Sequence, residues 1–355
     1  MKIEHLLIIR FSAMGDVAMT VPIVSSLARQ YPNIRITVLS KPFARAFFDG
    51  LAPNVSFMGA DIKGEYRGVK GLNALYRRLS AKHFTAIADL HDTLRSKYLR
   101  MRFNLSRNNV EHINKHKSGR RRLCAQHNKL LEQQPTPFEN YAEVFRKLGF
   151  PVECRFADVY GHHDPDFSVL PTEFQRQKSA EKWIGIAPFA AHIGKIYPLE
   201  RMERVIQLLS QRNDLKIFLF GGGKTEKMQL DQWAAKYPQC INVTGRLDGL
   251  KQELLLIRQL DLMLTMDSAN MHLASLVATP AVSIWGATHP FAGFMGWNQS
   301  SDNAVQVDLP CRPCSIYGKK PCHRGDYACL NEIQPETIVK KVVKKVVENF
   351  VEKVG

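Results

Sequence analysis

Four stretches of this 355-residue sequence combine residue types that can do chemistry. In SAMGDV, Ser12 to Val17, Gly15 lets the backbone approach a ligand closely, and Asp16 sets a carboxylate beside a helix start. Asp16 serves equally well as a helix cap or, if it faces a cleft, as a general base. In AHIGKIYP, Lys195 follows a buried strand and can neutralise a phosphate oxygen, although surface lysines are commonplace. The glycine run Gly221 to Gly223 after KIFLF removes side chains where a nucleotide would lie, but it lacks the GK[ST] ending of a P-loop. The densest stretch is MDSANMHLAS, Met266 to Ser275, with the WGATHP loop downstream of it. Asp267 and Ser268 can cap a helix whose N–H groups aim at a phosphate. His272, one turn on, either packs in the core or donates to phosphate or ribose.

These residues need elements to hold them. HLLIIRF reads as a buried strand, VAMTVPIVSSLARQYP as an amphipathic helix and IRITVLS as the next strand, the β, loop, α, β order of a parallel sheet. Further strands are expected at Val55 to Met58 and Thr85 to Leu90. A polar, proline-containing stretch, HHDPDFSVLPTEFQRQKSAEK, reads as a connection, after which the alternation restarts at WIGIAPF. The expected fold class is therefore α/β, with two Rossmann-like domains at 1–165 and 180–332 facing across a central cleft. A C-terminal amphipathic helix, 333–355, carries Val and Ile on one side and Lys on the other, and it can cap its own domain or cross back to the first.

Apolar residues make up 45% and charged residues 23% of the chain, which excludes disordered and fibrous classes. No apolar run reaches the roughly 18 to 20 residues that span a bilayer, and the first strand lacks a cleavage site, so a cytoplasmic protein is expected. The net charge of +16 attracts anions, and much of it lies between Arg95 and Lys129. That tract is either a solvated helix and loop or an anion-facing surface. Cys311, Cys314, Cys322 and Cys329 cluster, but their gaps are not a paired CxxC…CxxC pattern. Free thiols or an occasional disulfide are favoured over structural zinc.

Taken together, FSAMGDVAMTVPIVSSL, APFAAHIGKIYP, FGGG and MDSANMHLASLVATPAVSIWGATHP resemble glycosyltransferase family 9, the ADP-heptose:lipopolysaccharide heptosyltransferases. The resemblance covers most of the chain and is specific through the order of four motifs. It implies a GT-B fold and an inverting transfer needing no metal or other cofactor. Asp16 then resembles the family's loop aspartate, the base for the acceptor hydroxyl, and Lys195 its donor-phosphate lysine. DSANMH resembles the family's D-[ST]-G-x-x-H, which makes Asp267, Ser268, Ala269 and His272 donor-site candidates together with Ala191, Gly221, Gly222 and Gly15. Ala269 stands where the family usually has Gly. DLHDTLRS, Asp89 to Ser96, is similar to a stretch on the acceptor side.

The implied partners are a nucleotide-sugar donor, an anionic glycolipid acceptor and the anionic cytoplasmic face of the inner membrane, touched peripherally through a basic first lobe. Two alternatives remain at this level: another nucleotide-sugar enzyme of the same architecture, such as an epimerase, and a basic nucleic-acid-binding protein. The second is disfavoured because aromatics do not interleave with the basic tract and no nucleic-acid-binding signature appears.

Overall fold

A computed structural model describes residues 4–161, 163–177 and 181–354 of the chain. It opens with β1 (His5–Ile9), α1 (Met14–Ala18), α2 (Val21–Gln30), β2 (Arg35–Ser40), α3 (Arg45–Phe48), β3 (Val55–Gly59), α4 (Gly68–Ser80), β4 (Ala86–Asp89), α5 (Leu94–Leu105) and β5 (Asn109–His112). Helix α6 (Lys117–Leu123) and α7 (Pro137–Lys147) follow. All five strands run parallel in the order β3-β2-β1-β4-β5. Strand β1 is apolar and buried from Leu6 to Ile9 because a parallel sheet covered on both faces leaves no side for water. The strand order reverses between β1 and β4, so the loops after these two strands meet at the switch point where such sheets bind ligands.

The second series contains β6 (Lys182–Ala187), α8 (Leu199–Leu209), β7 (Leu215–Leu219), α9 (Gly223–Lys236), β8 (Cys240–Asn242), α10 (Gly249–Gln259) and β9 (Leu262–Met266). It continues with α11 (Ala269–Leu276), β10 (Ala281–Ile284), β11 (Ala304–Val305), α12 (Ala328–Asn331) and α13 (Pro335–Val354). The parallel sheet here is ordered β11-β10-β9-β6-β7-β8, and its reversal lies between β6 and β9. Each unit has its own apolar core. Leu7, Ile9, Ile87 and Phe103 lie in the first, and Ile186, Trp233, Leu264 and Ile284 in the second.

The division into units differs from the expected boundaries. The first unit takes in the chain up to Lys115 together with Pro135–His163; the second takes in His116–Gln134 and everything from Asp164 onward. The expected linker lies partly outside the described residues, and its described part from Asp164 onward belongs to the second unit because it is not wholly polar: Leu170 and Phe174 are buried, and Gln259 Nε2 donates to the Phe174 carbonyl at 2.9 Å. Helix α13 packs on α8 and β9 of its own unit, with Ile338, Val342 and Val346 at four-residue spacing in that core.

Candidate active site

In the first unit, the loop after β1 carries Arg10 and Asp16, whose side chains form an ion pair at 2.9 Å. Asp16 occupies the third position of α1 and accepts a hydrogen bond from the Ala13 N–H at 3.0 Å, so it does act in capping. Its side chain keeps 27% exposure, which leaves the carboxylate accessible to a substrate as well. Arg10 is buried and also donates to the Leu90 carbonyl at 2.6 Å, tying the loop after β1 to the loop after β4.

That second loop is DLHD. Asp89 is fully buried and accepts from the N–H groups of His91 and Asp92, both at 2.9 Å, while Arg100 pairs with Asp89 and Asp92, each at 3.3 Å. His91 lies against the Asp16 loop: the Phe11 N–H points to Nδ1 at 3.5 Å, and Ser12 Oγ stands 3.4 Å from Nε2. Burial, reinforced by the Arg10 and Lys115 cations, pushes the imidazole down to about 3. It is therefore neutral at ordinary pH and can hand on a hydrogen bond without adding charge.

This has a consequence for acid stability. The folded state keeps His91 unprotonated while the unfolded chain binds a proton below about 6.5, so stability is complete above that pH and declines as pH falls toward about 3. His289 in the second unit, pushed down to about 4 by burial first and Arg312 second, acts in the same direction. The melting temperature is expected to drop through this window, and a His91→Gln variant should show a shallower slope between about pH 6.5 and 4. An unchanged slope would remove His91 as a source of the effect.

In the second unit, the loops after β6 and β9 meet at the switch point and bring Lys195 to Asp267 at 2.8 Å. Asp267 is almost wholly buried and Lys195 largely so. Ser268 sits at the N-cap of α11, yet its hydroxyl meets Thr265 Oγ1 at 3.1 Å and caps no helix N–H. The first-turn donors of α11, beginning at Ala269, are not satisfied by that side chain and remain suited to an anion. His272 is buried along the same helix.

The turn carrying Lys195 has little freedom. Gly194 accepts from the Ala287 N–H at 2.8 Å, and a Cβ at Gly286 would lie 2.6 Å from the Gly194 carbonyl oxygen. In the glycine run, a Cβ at Gly221 would meet Leu230 at 2.9 Å, Gly223 has φ +76°, and Gly222 faces open space. Ala191 is exposed.

Three residues of these two centres escaped the sequence reading. Arg10 is a charged residue at the end of an apolar strand, which is the signal that could have found it. His91 lies within DLHDTLRS, where nothing in the sequence pattern distinguishes it from its neighbours. Glu226 closes the glycine run by accepting from the Gly222 N–H at 2.7 Å. Among the described residues, no three His, Cys, Asp or Glu side chains stand together as a metal ligand set.

The sequence model for glycosyltransferase family 9 (heptosyltransferase) matches residues 72–324, a span that contains Lys195 and Asp267 but not Asp16. The chain is 23% identical over 294 residues to the lipopolysaccharide core heptosyltransferase OpsX of Haemophilus influenzae, covering 81% of this chain and 80% of that one. It is 23% identical over 312 residues to lipopolysaccharide heptosyltransferase 3 of Escherichia coli, covering 82% and 84%. Among solved structures, E. coli heptosyltransferase WaaC with ADP superposes with a TM-score of 0.67 at 17% identity, covering 96% of this chain and 99% of that one. A glycosyltransferase family 9 protein from Veillonella parvula superposes with a TM-score of 0.70 at 18% identity, covering 98% and 99%. At these identities the superpositions speak for the fold, two parallel-sheet units of the GT-B class, and the family match speaks for the rest. The chain belongs to glycosyltransferase family 9, the heptosyltransferases.

Proposed function

We propose that this protein transfers a heptosyl group from ADP-heptose to a lipopolysaccharide core acceptor with inversion at the anomeric carbon and without a catalytic metal. The observation that carries the reading is the Lys195–Asp267 pair beside the uncapped start of α11, at the switch point of the second sheet. A fixed cation and a set of aligned N–H donors there are suited to a diphosphate and to the charge that grows on it as the sugar departs. Asp16 supplies the complementary function. Its carboxylate, oriented by Arg10 and the Ala13 N–H, takes the proton from the attacking acceptor hydroxyl. The acceptor oxygen forms its bond to the anomeric carbon as the bond to the leaving phosphate oxygen breaks, and the released nucleotide is ADP.

The names of the relatives supply the sugar and the acceptor, and a ligand panel tests the nucleotide. ADP and ADP-heptose are expected to raise the melting temperature, because a ligand bound only by the native state stabilises it by mass action. Stabilisation by UDP or a UDP-sugar with none by ADP would overturn this donor.

The acceptor reading extends to the membrane. Among the described residues, no helix is long and apolar enough to cross one. Helix α5 instead exposes Leu94, Met101 and Leu105 beside Arg95 and Lys97, with Arg107 exposed just beyond its end, a mixture suited to an anionic lipid surface. The basic tract is shared between the units, since KSGRRRL forms α6 of the second, so the charge does not belong to the first unit alone as expected. Binding to anionic vesicles should weaken as salt is raised; salt-independent binding, or none, would count against peripheral attachment.

A further inference from the structure

His91 lies between the loop after β1 and the start of α5, and its two ring nitrogens have different partners. The ring is buried and set edge-on to Phe11, with centroids 5.9 Å apart and planes at 63°. Nδ1 faces the Phe11 N–H at 3.5 Å and Thr93 Oγ1 at 3.2 Å. A backbone N–H can only donate, so Nδ1 presents its lone pair, and the single proton of the neutral ring sits on Nε2. Thr93 is itself held at the N-cap of α5, where its N–H donates to Ser96 Oγ at 2.9 Å. The ring is therefore fixed both in place and in the nitrogen that carries its proton.

Nε2 stands 3.4 Å from Ser12 Oγ, and with the proton there it donates to the hydroxyl oxygen. Among the described residues, His91 is the only hydrogen-bond partner of that hydroxyl. Once the oxygen accepts from the ring, the Ser12 O–H remains to donate elsewhere. Ser12 is only half-buried, so a ligand can reach it. It also belongs to the stretch that holds Asp16, since the next residue, Ala13, gives its N–H to the Asp16 carboxylate at 3.0 Å. A carboxylate that accepts and a hydroxyl that donates thus share one short loop. Together they suit a sugar that offers one hydroxyl beside a second oxygen.

We infer that Ser12 binds the acceptor sugar by donating to an oxygen neighbouring the attacking hydroxyl, and that His91 is the positioning residue that aims it. The inference rests on the transfer reading above, with Asp16 as the base. His91 does not touch the acceptor; it acts through the serine. Donation into Ser12 Oγ polarises the O–H and strengthens the bond made in turn, because linked hydrogen bonds reinforce one another. No proton moves along this chain, and the proton of the attacking hydroxyl goes to Asp16. A charged imidazolium in the same place would compete with Arg10 for the Asp16 carboxylate, which a neutral ring avoids.

The first test is NMR of the full chain, isotopically labelled at histidine nitrogen, with the His91 signals assigned by their loss in His91→Gln. The proton should be found on Nε2; a proton on Nδ1 would overturn the proposal, and this readout needs neither substrate nor a folded variant of low activity. The second is calorimetric binding of a deacylated lipopolysaccharide core acceptor in the absence of donor. Ser12→Ala should weaken binding by roughly 3- to 10-fold, the range for one hydrogen bond between neutral groups. His91→Leu should cost about as much, and His91→Gln, whose amide can donate to the same oxygen, should recover part of that loss. The Ser12→Ala/His91→Leu pair should cost no more than either change alone, because both break one chain. Additive losses, or a loss in His91→Leu with none in Ser12→Ala, would show that His91 acts through packing and would overturn the relay. A parent protein that binds this acceptor without transferring to it counts against the proposed transfer and not against this contact; one that binds no acceptor overturns both.

Discussion

An Asp16→Asn protein is expected to fold normally and to lose roughly 10²- to 10⁴-fold in kcat, the usual range for removing a general base. Asn keeps an oxygen to accept from the Ala13 N–H, so the first turn of α1 retains its bond. Arg10 keeps its bond to the Leu90 carbonyl, although it loses a charged partner. The result separates the two functions of the carboxylate. If Asp16 served only the helix, the variant would lose about 1 kcal/mol of stability or less and turn over normally. Steady-state kinetics beside a melting curve decide between them, and a kcat within threefold of the parent would remove Asp16 from the chemistry.

The second large effect is expected at Lys195. A Lys195→Met substitution removes the cation paired with Asp267 at the second switch point and should lower kcat/KM for the donor by about 10²- to 10³-fold, in line with losing a donor aimed at developing charge. It should also destabilise the protein, because Asp267, 4% exposed, is left as a buried carboxylate without its partner. Adding Asp267→Asn removes that stranded charge. The double variant should therefore recover most of the lost melting temperature while activity stays low. Recovery of activity along with stability would mean that Lys195 acts through folding alone.

Much of this was legible in the sequence for a physical reason. Buried parallel strands must be apolar, so HLLIIRF, WIGIAPF and DLMLTMD announced themselves, and the loops at their carboxyl ends had to contain the ligand-facing residues. The lysine and aspartate of the second unit were each visible, but their pairing depends on β6 and β9 being neighbours, which a strand order settles and a linear pattern does not. Strand β5, Asn109–His112, was missed because NVEH is a short edge strand without an apolar face. The excursion of His116–Gln134 into the second unit was hidden for a related reason. Its attachments run through polar atoms, such as Lys129 Nζ to the Cys311 carbonyl and the Gln134 N–H to the Phe291 carbonyl, and hydrophobic periodicity does not record these. What Arg10 and His91 join, the loops after β1 and β4, depends on those strands being neighbours, which again a linear pattern does not settle.

The most direct test of the central claim is product analysis after incubation with ADP-heptose and a lipopolysaccharide core acceptor. The account predicts acceptor-dependent release of ADP, an acceptor heavier by one heptosyl group, and an anomeric configuration opposite to that of the donor. Consumption of ADP-heptose without a heptosylated acceptor, or a product that retains the donor's configuration, would contradict it.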